Sequence, residues 1–570
     1  MNGLILLVLS VLLANIYIVQ KNNDGLRRVS ILGITFGVLV IILLIPLILT
    51  IVLVFATYRQ CLNMSLKLKH GQAYRGLLQG FDVVHTVDEI SNSKTCILII
   101  FEYDQKNLSK CFFDVFIEEM TKVKKTIFSQ IPKFQSKYSQ CTGYTYMLKQ
   151  NVDVVEFVRK MPLIDSKSEE LNDAELSQLL GKVHRLDFPK DNTVYWDFLV
   201  GTQPVAKKYN NGKNSRWYPV LFRNHHCISD GVSLLKLLVG VLADKQTIKL
   251  PSPDTYRGSS VFDDIINSAD KLSFDYLIQS LWNTLMKILL SLYVFVLIPS
   301  SVFTILFLKA NDNNVLHKQA LSGKPIFAFV AEENDAYFQK VKRIKHKIAN
   351  TSFPEVLLTA FSESLCSYFK KKANMCPEFI TSAIPIVPGS SQLQHLVPGS
   401  VNVNNITFQN NYSLVLLNLP LFIKNGNASF VRRLKLLQKQ ITILSNSVDY
   451  HVMYVLMNFV FSVLPTKLIR IFLYNFQCTT SVSIVPGPIK ATYADNALTL
   501  IDAGFWIPHL KNIGLGFSVF TYDRRLFIGI SVDTELIDSY EEAKSILDDV
   551  LRNIDLFEQE VESSDLVVCS

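Results

Sequence analysis

Apolar and polar positions follow two regimes along this chain of 570 residues. Near the start and in the middle they form long apolar runs, and elsewhere they alternate with the periods of ordinary strands and helices. The run Leu4 to Val19 spans 16 residues, short for a bilayer span but sufficient for a signal anchor. A cleaved signal peptide is the alternative, although no small-residue cleavage site precedes Lys21. The run Ile31 to Ala56 carries no charge, and about 20 such residues cross a bilayer as a helix, so it predicts a transmembrane helix. Lys21, Arg27 and Arg28 lie between the two runs and Arg59, Lys67 and Lys69 follow them, which gives no clear orientation. A two-helix hairpin places both ends on one side, with the body in the cytosol.

From about Gly71 the pattern is that of a folded α/β body. Cys96 to Tyr103 reads as a buried strand and Phe112 to Ile131 as an amphipathic helix. Trp217 to Asn224 reads as a strand with Val220 and Phe222 on one face, followed by a loop over His225 to Gly231 and an apolar helix from Val232 to about Leu242. Such a unit presents loop side chains at the edge of a sheet, where a rigid scaffold holds them. A second lobe begins near Gly323. Ser352-Phe353-Pro354-Glu355 has capping-box spacing and opens a helix over Val356 to Phe369. Gly514 to Thr521 and Leu526 to Val532 read as paired strands around the turn Tyr522 to Arg525, with Leu515, Phe517 and Val519 facing inward beside Leu526, Ile528 and Ile530. A last helix covers Tyr540 to about Leu556.

Composition narrows the class. Hydrophobic residues are 49% and charged residues 19%, greasy for a soluble enzyme and too polar for a multi-span transporter. The net charge of +8 is dispersed, and no nucleic-acid motif, Walker loop or dinucleotide fingerprint is present. The densest basic run, Lys342, Arg343, Lys345 and Lys347, reads as a solvated helix face. Nine cysteines without Cys-x-x-Cys or a His/Cys cluster predict neither a disulfide framework nor a metal site. Asn-x-Ser/Thr sequons at Asn63, Asn107, Asn350, Asn405, Asn411 and Asn427 are what this composition yields by chance and do not fix the compartment.

The candidate chemistry lies in His225-His226-Cys227-Ile228-Ser229-Asp230-Gly231. An imidazole titrating near neutrality suits general base catalysis: it takes the proton of an alcohol as the oxygen attacks a thioester, then returns it to the departing thiolate. No covalent enzyme intermediate is needed. Asp230, at the loop's exit, is placed to fix the loop, and Gly231 suits a backbone conformation or close approach that a side chain would block. Cys227 as a nucleophile is disfavoured, because side chains adjacent in sequence seldom reach nucleophile–base geometry. His184 reads as a surface histidine at a helix end, and His395, His451 and His509 as structural.

The motif and its surroundings resemble the wax ester synthase/diacylglycerol acyltransferase family, within the condensation-domain and chloramphenicol-acetyltransferase-like superfamily. The similarity runs over roughly Gly71 to Leu556. Leu186-Asp187 followed by Tyr195-Trp196 is similar to the segment before the family's active-site strand. Pro354 to Phe369 stands where the family has its Asn-Asp-Val-Leu-Leu helix. Val485-Pro486-Gly487-Pro488 and Gly514-Leu515-Gly516 through Thr521-Tyr522, with Gly529 and Asp533, resemble its later elements. The resemblance implies a two-lobed CoA-dependent α/β acyltransferase fold, each lobe a mixed sheet flanked by helices, with a tunnel at the lobe interface. It implies His226 and His225 as the catalytic residues, His226 being the base, with Asp230 and Gly231 structural. Ser483, Pro486 and Gly487 would lie at the lobe interface, and Thr480, Ser481 or Ser483 would be the hydroxyl candidates for oxyanion stabilisation, with backbone amides equally open. No metal or bound cofactor is implied; acyl-CoA is a co-substrate.

Three positions depart from the family pattern. Its Asn-Asp pair is Pro354-Glu355, the Asn before Val-Pro-Gly-Pro is Ile484, and its hairpin glycine is Arg524. None touches the base, and a left-handed Arg524 would cost about 1 kcal/mol.

A body with one active site constrains the third apolar run, Ile288 to Leu308, flanked by Lys287 and Lys309 and broken by Pro299. A lone span would put the two lobes on opposite sides of the membrane. Each arm beside Pro299 reaches roughly 15 Å as a helix, about half the hydrocarbon thickness. A kinked helix in one leaflet or a re-entrant segment is expected, with Val452 to Phe476 (interrupted by Pro465, Lys467 and Arg470) as a partner; a buried inter-lobe helix is the alternative. The expected organisation is an anchor over 1–60, a first lobe over 71–280, a membrane-associated linker over 281–322 and a second lobe over 323–560. The expected function is transfer of a long-chain acyl group from acyl-CoA to a fatty alcohol or diacylglycerol drawn from membrane lipids, at the endoplasmic reticulum or else the plasma membrane. A non-catalytic lipid-binding protein that kept the fold is the alternative, and a small polar acceptor suits the anchoring less well.

Overall fold

The computed structural model describes residues 2–23, 31–87, 93–104, 110–164, 169–206, 215–245, 278–309, 312–318, 320–388, 390–423, 429–509 and 512–563. Arg27, Arg28, Asn107, Asn427 and the 246–277 stretch of the expected first lobe lie outside the described residues.

In chain order the first strands are β1 (Tyr74–Leu77), β2 (Lys94–Tyr103), β3 (Ser136–Cys141), β4 (Tyr144–Lys149), β5 (Val158–Lys160), β6 (Trp196–Val200) and β7 (Arg216–His225). They are followed by β8 (Pro325–Ala331), β9 (Phe379–Ile386), β10 (Ser413–Pro420), β11 (Thr480–Val485), β12 (Thr492–Tyr493), β13 (Leu498–Trp506), β14 (Leu515–Tyr522) and β15 (Arg525–Asp533). They form two six-stranded mixed sheets, ordered β12-β13-β2-β7-β6-β5 and β10-β9-β11-β14-β15-β8, and a three-stranded sheet β1-β4-β3.

The lobes interlock. β13 comes from the second half of the chain yet pairs antiparallel with β2, from Thr499 opposite Glu102 to Trp506 opposite Cys96. β2 in turn pairs with β7 from Lys94 opposite His225 to Tyr103 opposite Arg216. The first lobe's sheet is therefore completed by residues that sequence order assigns to the second. In the second sheet β11 runs parallel to β9 and β14, while β14, β15 and β8 are antiparallel. Leu515, Phe517 and Val519 on β14 and Leu526, Ile528 and Ile530 on β15 are all buried beneath helices Phe353–Ala373 and Tyr540–Ser563. The β14–β15 turn holds Asp523 (φ 47°) and Arg524 (φ 62°) in the left-handed region, so Arg524 carries the strain a glycine would avoid.

Local signals were met with differences. Helix Phe353–Ala373 starts with the Ser352 N–H donating to the Glu355 carboxylate at 2.7 Å, but the Ser352 hydroxyl has no partner, so only half of the capping box forms. The expected helix over 112–131 is split into Phe112–Glu118, a wide π-turn Glu119–Val123 and Lys125–Ser129. The widened turn keeps Phe112, Phe116, Met120 and Phe128 all on the core side.

The apolar runs are helices Asn2–Asn23, Ile31–His70 and Ile278–Phe303, the last continued by a π-turn over Thr304–Lys309. They differ in environment. The apolar window of the second is 6% buried, and Leu32, Phe36 and Leu43 stand exposed on it. The stretch Leu292–Lys309 is 56% buried. It packs on Asn2–Asn23 and on helix Asp449–Val455. Pro299 interrupts the backbone ladder there, and the Asn15 side chain spans the gap, donating to Val296 O at 2.9 Å and accepting from Ser300 N at 2.8 Å. Lys309 and Ser301 both reach the buried Asp449 carboxylate, at 2.8 and 2.6 Å.

Candidate functional site

β7 ends at His225, and Gly231 begins the helix Gly231–Leu235, so the motif is the connection between sheet and helix. Asp230 is the N-cap: Oδ1 accepts from Ser233 N at 2.9 Å and Oδ2 accepts from Asn411 N, across the lobe interface, at 3.2 Å. Gly231 is helical without positive φ, and a Cβ there would meet nothing within 4 Å. The expected close backbone approach is absent; the space beside Gly231 belongs to the cavity it lines.

That cavity, of about 180 Å³, lies between the two large sheets. The first lobe contributes Thr95, Ile97, Ile99 and the helix residues Leu234 and Leu238; the second contributes Pro385, Tyr412, Leu414, Phe520 and β11. His226 opens onto it and His225 does not line it. His225 is stacked on Tyr195 (4.9 Å between centroids), and its Nδ1 accepts from Cys227 N at 3.2 Å. Both contacts tie its ring to the loop and to Tyr195 rather than to the cavity.

The His226 backbone is fixed at both its N–H and its carbonyl. Its N–H donates to Ser93 O at 2.8 Å, and its carbonyl accepts from Asn410 Nδ2 at 2.6 Å. Asn410 also binds Asp82 Oδ1 through both its backbone and side-chain nitrogens, at 2.9 and 2.8 Å. Asp82 is paired with Lys133 at 2.5 Å, and Lys133 also donates to the Cys227 and Ile228 carbonyls at 3.0 and 2.9 Å. A buried ion pair thus braces the loop from below. A second one, Arg223 with Asp197 (2.6 Å), braces the strand, and Arg223 Nη1 also donates to the Leu186 backbone carbonyl at 2.8 Å.

Sequence reasoning missed His85. It sits in the 3-10 segment Gly80–Thr86, and its ring stacks on that of His226 at 4.1 Å and 17°. Its Nε2 is 2.9 Å from the Tyr412 hydroxyl. Nothing in the local pattern Gly-Phe-Asp-Val-Val-His-Thr signals this, because the contact is purely tertiary. His184 is likewise buried rather than on the surface: it ends helix Asp173–His184 with Nδ1 3.4 Å from Cys96 Sγ. His509 lines the cavity, with Nε2 buried and unpartnered, while His395 is exposed.

Burial dominates the electrostatics. It lowers His226 to about 4 and His225 to about 3, and takes His85 well below its ordinary value, with the neighbouring imidazoles adding to the shift of the last two. All three are neutral imidazoles at pH 7. The Nδ1 atoms of His226 and His85 are buried without a partner. Burial pushes the Cys227 thiol far up, so no thiolate forms beside His226.

On the opposite wall, Ser481 and Ser483 line the cavity and Thr480 does not; the Ser481 hydroxyl is buried and unpartnered. Gly487 N–H donates to Thr521 Oγ1 at 3.0 Å, so it is already engaged, and a Cβ at Gly487 would lie 1.9 Å from Thr521 O. Pro486 is outside the lining and Ile484 is part of it, so the family's polar position presents an apolar side chain here. Among the described residues no three His, Cys, Asp or Glu side chains gather as a metal site.

Residues 408–555 match the family described as the WS/DGAT C-terminal domain. No curated protein sequence matches the chain significantly. Among solved structures, a wax ester synthase/diacylglycerol acyltransferase from Marinobacter aquaeolei VT8 superposes with a TM-score of 0.52 at 13% identity, covering 85% of this chain and 100% of that one. A trichothecene 15-O-acetyltransferase from Fusarium sporotrichioides gives 0.49 at 10% identity, covering 83% and 94%. At these identities the likeness is one of fold. The chain thus has a two-lobed fold like that of the Marinobacter wax ester synthase/diacylglycerol acyltransferase structure, and its residues 408–555 match the WS/DGAT C-terminal domain.

Proposed function

We propose that the protein is a membrane-bound, acyl-CoA-dependent O-acyltransferase that moves a long-chain acyl group to a lipid hydroxyl, a fatty alcohol or diacylglycerol, with His226 as general base. The observation that carries this reading is the placement of a neutral, part-buried imidazole on a largely apolar cavity between two lobes, with its Nδ1 free of any protein partner. The carry-over from the family supports the donor and the reaction class.

The steps balance without an enzyme-bound intermediate. The acceptor hydroxyl gives its proton to His226 as its oxygen bonds to the thioester carbonyl carbon. The carbonyl oxygen becomes an oxyanion, for which the Ser481 hydroxyl is the side-chain donor we favour. Collapse re-forms the carbonyl and breaks the carbon–sulfur bond, and the CoA thiolate takes the proton from the imidazolium. The products are an ester and free CoA. Cells lacking neutral lipids, supplied with fatty alcohol and expressing the protein, test this: wax ester or triacylglycerol should accumulate, and His226→Ala should abolish it.

A further inference from the structure

A second cleft, of about 390 Å³, opens where helix Ile31–His70 meets β1. Arg59, Asn63 and Lys67 line it from the helix, and Tyr74 and Arg75 line it from the strand. No carboxylate lines it. Among the described residues, Arg59, Lys67 and Arg75 enter no ion pair. Arg59 donates through Nη2 to Leu78 O at 2.8 Å, and its Nε is buried without a partner. Arg75 Nε is also buried and unpartnered. Tyr74 donates to Asn63 Oδ1 at 2.7 Å, leaving the asparagine nitrogen free to turn to the cleft.

Burial disfavours the charge on Arg59, yet a guanidinium keeps its proton and must find an anion or water. Lys67 lies in the helix's last turn, where a cation offsets the dipole. Arg59 lies well before that turn, so the dipole does not account for it. Its height along the helix does. Ile31 to Ala56 is charge-free and reaches roughly 39 Å at 1.5 Å per residue, enough to cross a hydrocarbon core of about 30 Å. Arg59 follows within a turn, at the level of lipid headgroups.

We propose that this cleft binds the phosphate of an anionic lipid headgroup, with the Arg59 and Arg75 guanidinium groups donating to its oxygens and Lys67 adding charge at the rim. The inference rests on the membrane-bound reading above but not on the chemistry at His226.

Native mass spectrometry of the full-length protein, purified in detergent and offered dioleoyl phosphatidic acid or dioleoyl phosphatidylcholine, tests it. One phosphatidic acid should be retained per chain, more tightly than phosphatidylcholine. Lys67→Gln/Arg75→Gln, which leaves the Arg59–Leu78 bond intact, should weaken retention by about tenfold or more, the scale of one charge-assisted contact. Release by excess inorganic phosphate assigns the site to phosphate in general, and resistance assigns it to the lipid; both support an anion site. Equal retention by the parent and the double variant overturns the proposal. His226→Ala should retain lipid like the parent, so failure of the catalytic reading and failure of this one are read separately.

Discussion

The imidazole of His85 lies face to face with that of His226, 4.1 Å away and 17° from parallel. The relationship matters because His226 becomes an imidazolium during the proposed transfer, in a largely apolar cavity. A neutral aromatic face at stacking distance steadies that charge and fixes the ring plane, and burial keeps His85 neutral. The Tyr412 hydroxyl, itself held protonated by burial, anchors His85 on its other side.

His85→Ala is therefore expected to lower kcat by about tenfold, the scale of one lost aromatic contact, with KM for acyl-CoA unchanged. His85→Phe keeps the face and should recover most of the loss. Steady-state kinetics on the three proteins checks this; equal losses in both variants would assign His85 a hydrogen-bonding role instead.

The three buried imidazoles set a pH dependence of stability. Each has a folded pKa below the unfolded value of about 6.5, with His226 at about 4 and His225 at about 3. Below about pH 6.5 the unfolded chain binds protons that the folded one refuses, so stability is full above that pH and falls as pH drops toward 4. At pH 5 His225 and His226 each cost on the order of 2 kcal/mol, and His85 acts in the same direction. Urea unfolding at pH 7.5 and pH 5 measures the difference, and His225→Asn should shrink it.

Legibility in the sequence followed the range of the interactions. The strand, loop and helix around His226, the β14–β15 hairpin and the loop-fixing place of Asp230 depend on near neighbours, and they were readable, although the Asp230 N-cap bond to Ser233 was not. The brace under the loop joins Asp82, Lys133 and Asn410, with Asn410 328 residues from Asp82, and no local pattern encodes it. The crossing of β13 into the first sheet is hidden for the same reason. His184 was misplaced because a helix-end histidine with polar neighbours is usually exposed; here the Cys96 and Phe327 side chains cover it.

Removing Lys133 should expose what that brace contributes. Lys133→Met leaves the Asp82 carboxylate buried without its cation and should destabilise the protein by about 3–5 kcal/mol. Asp82→Asn/Lys133→Met should recover part of this. Thermal unfolding of the two variants decides it; a smaller loss in the single variant than in the double one would contradict the account.

Ser481→Ala removes a buried hydroxyl that has no partner in the protein, so stability should change little. If that hydroxyl meets the oxyanion, kcat falls by about a hundredfold with KM unchanged. Ser483→Ala, on the same wall but part-exposed, serves as the comparison.

The most direct test of the central claim is product formation by purified protein in lipid bilayers, given radiolabelled long-chain acyl-CoA and either fatty alcohol or diacylglycerol. Labelled ester should form with one free CoA released per ester, and folded His226→Ala should give less than about a hundredth of that rate, the loss expected of a removed general base. Equal rates from the two proteins would contradict it.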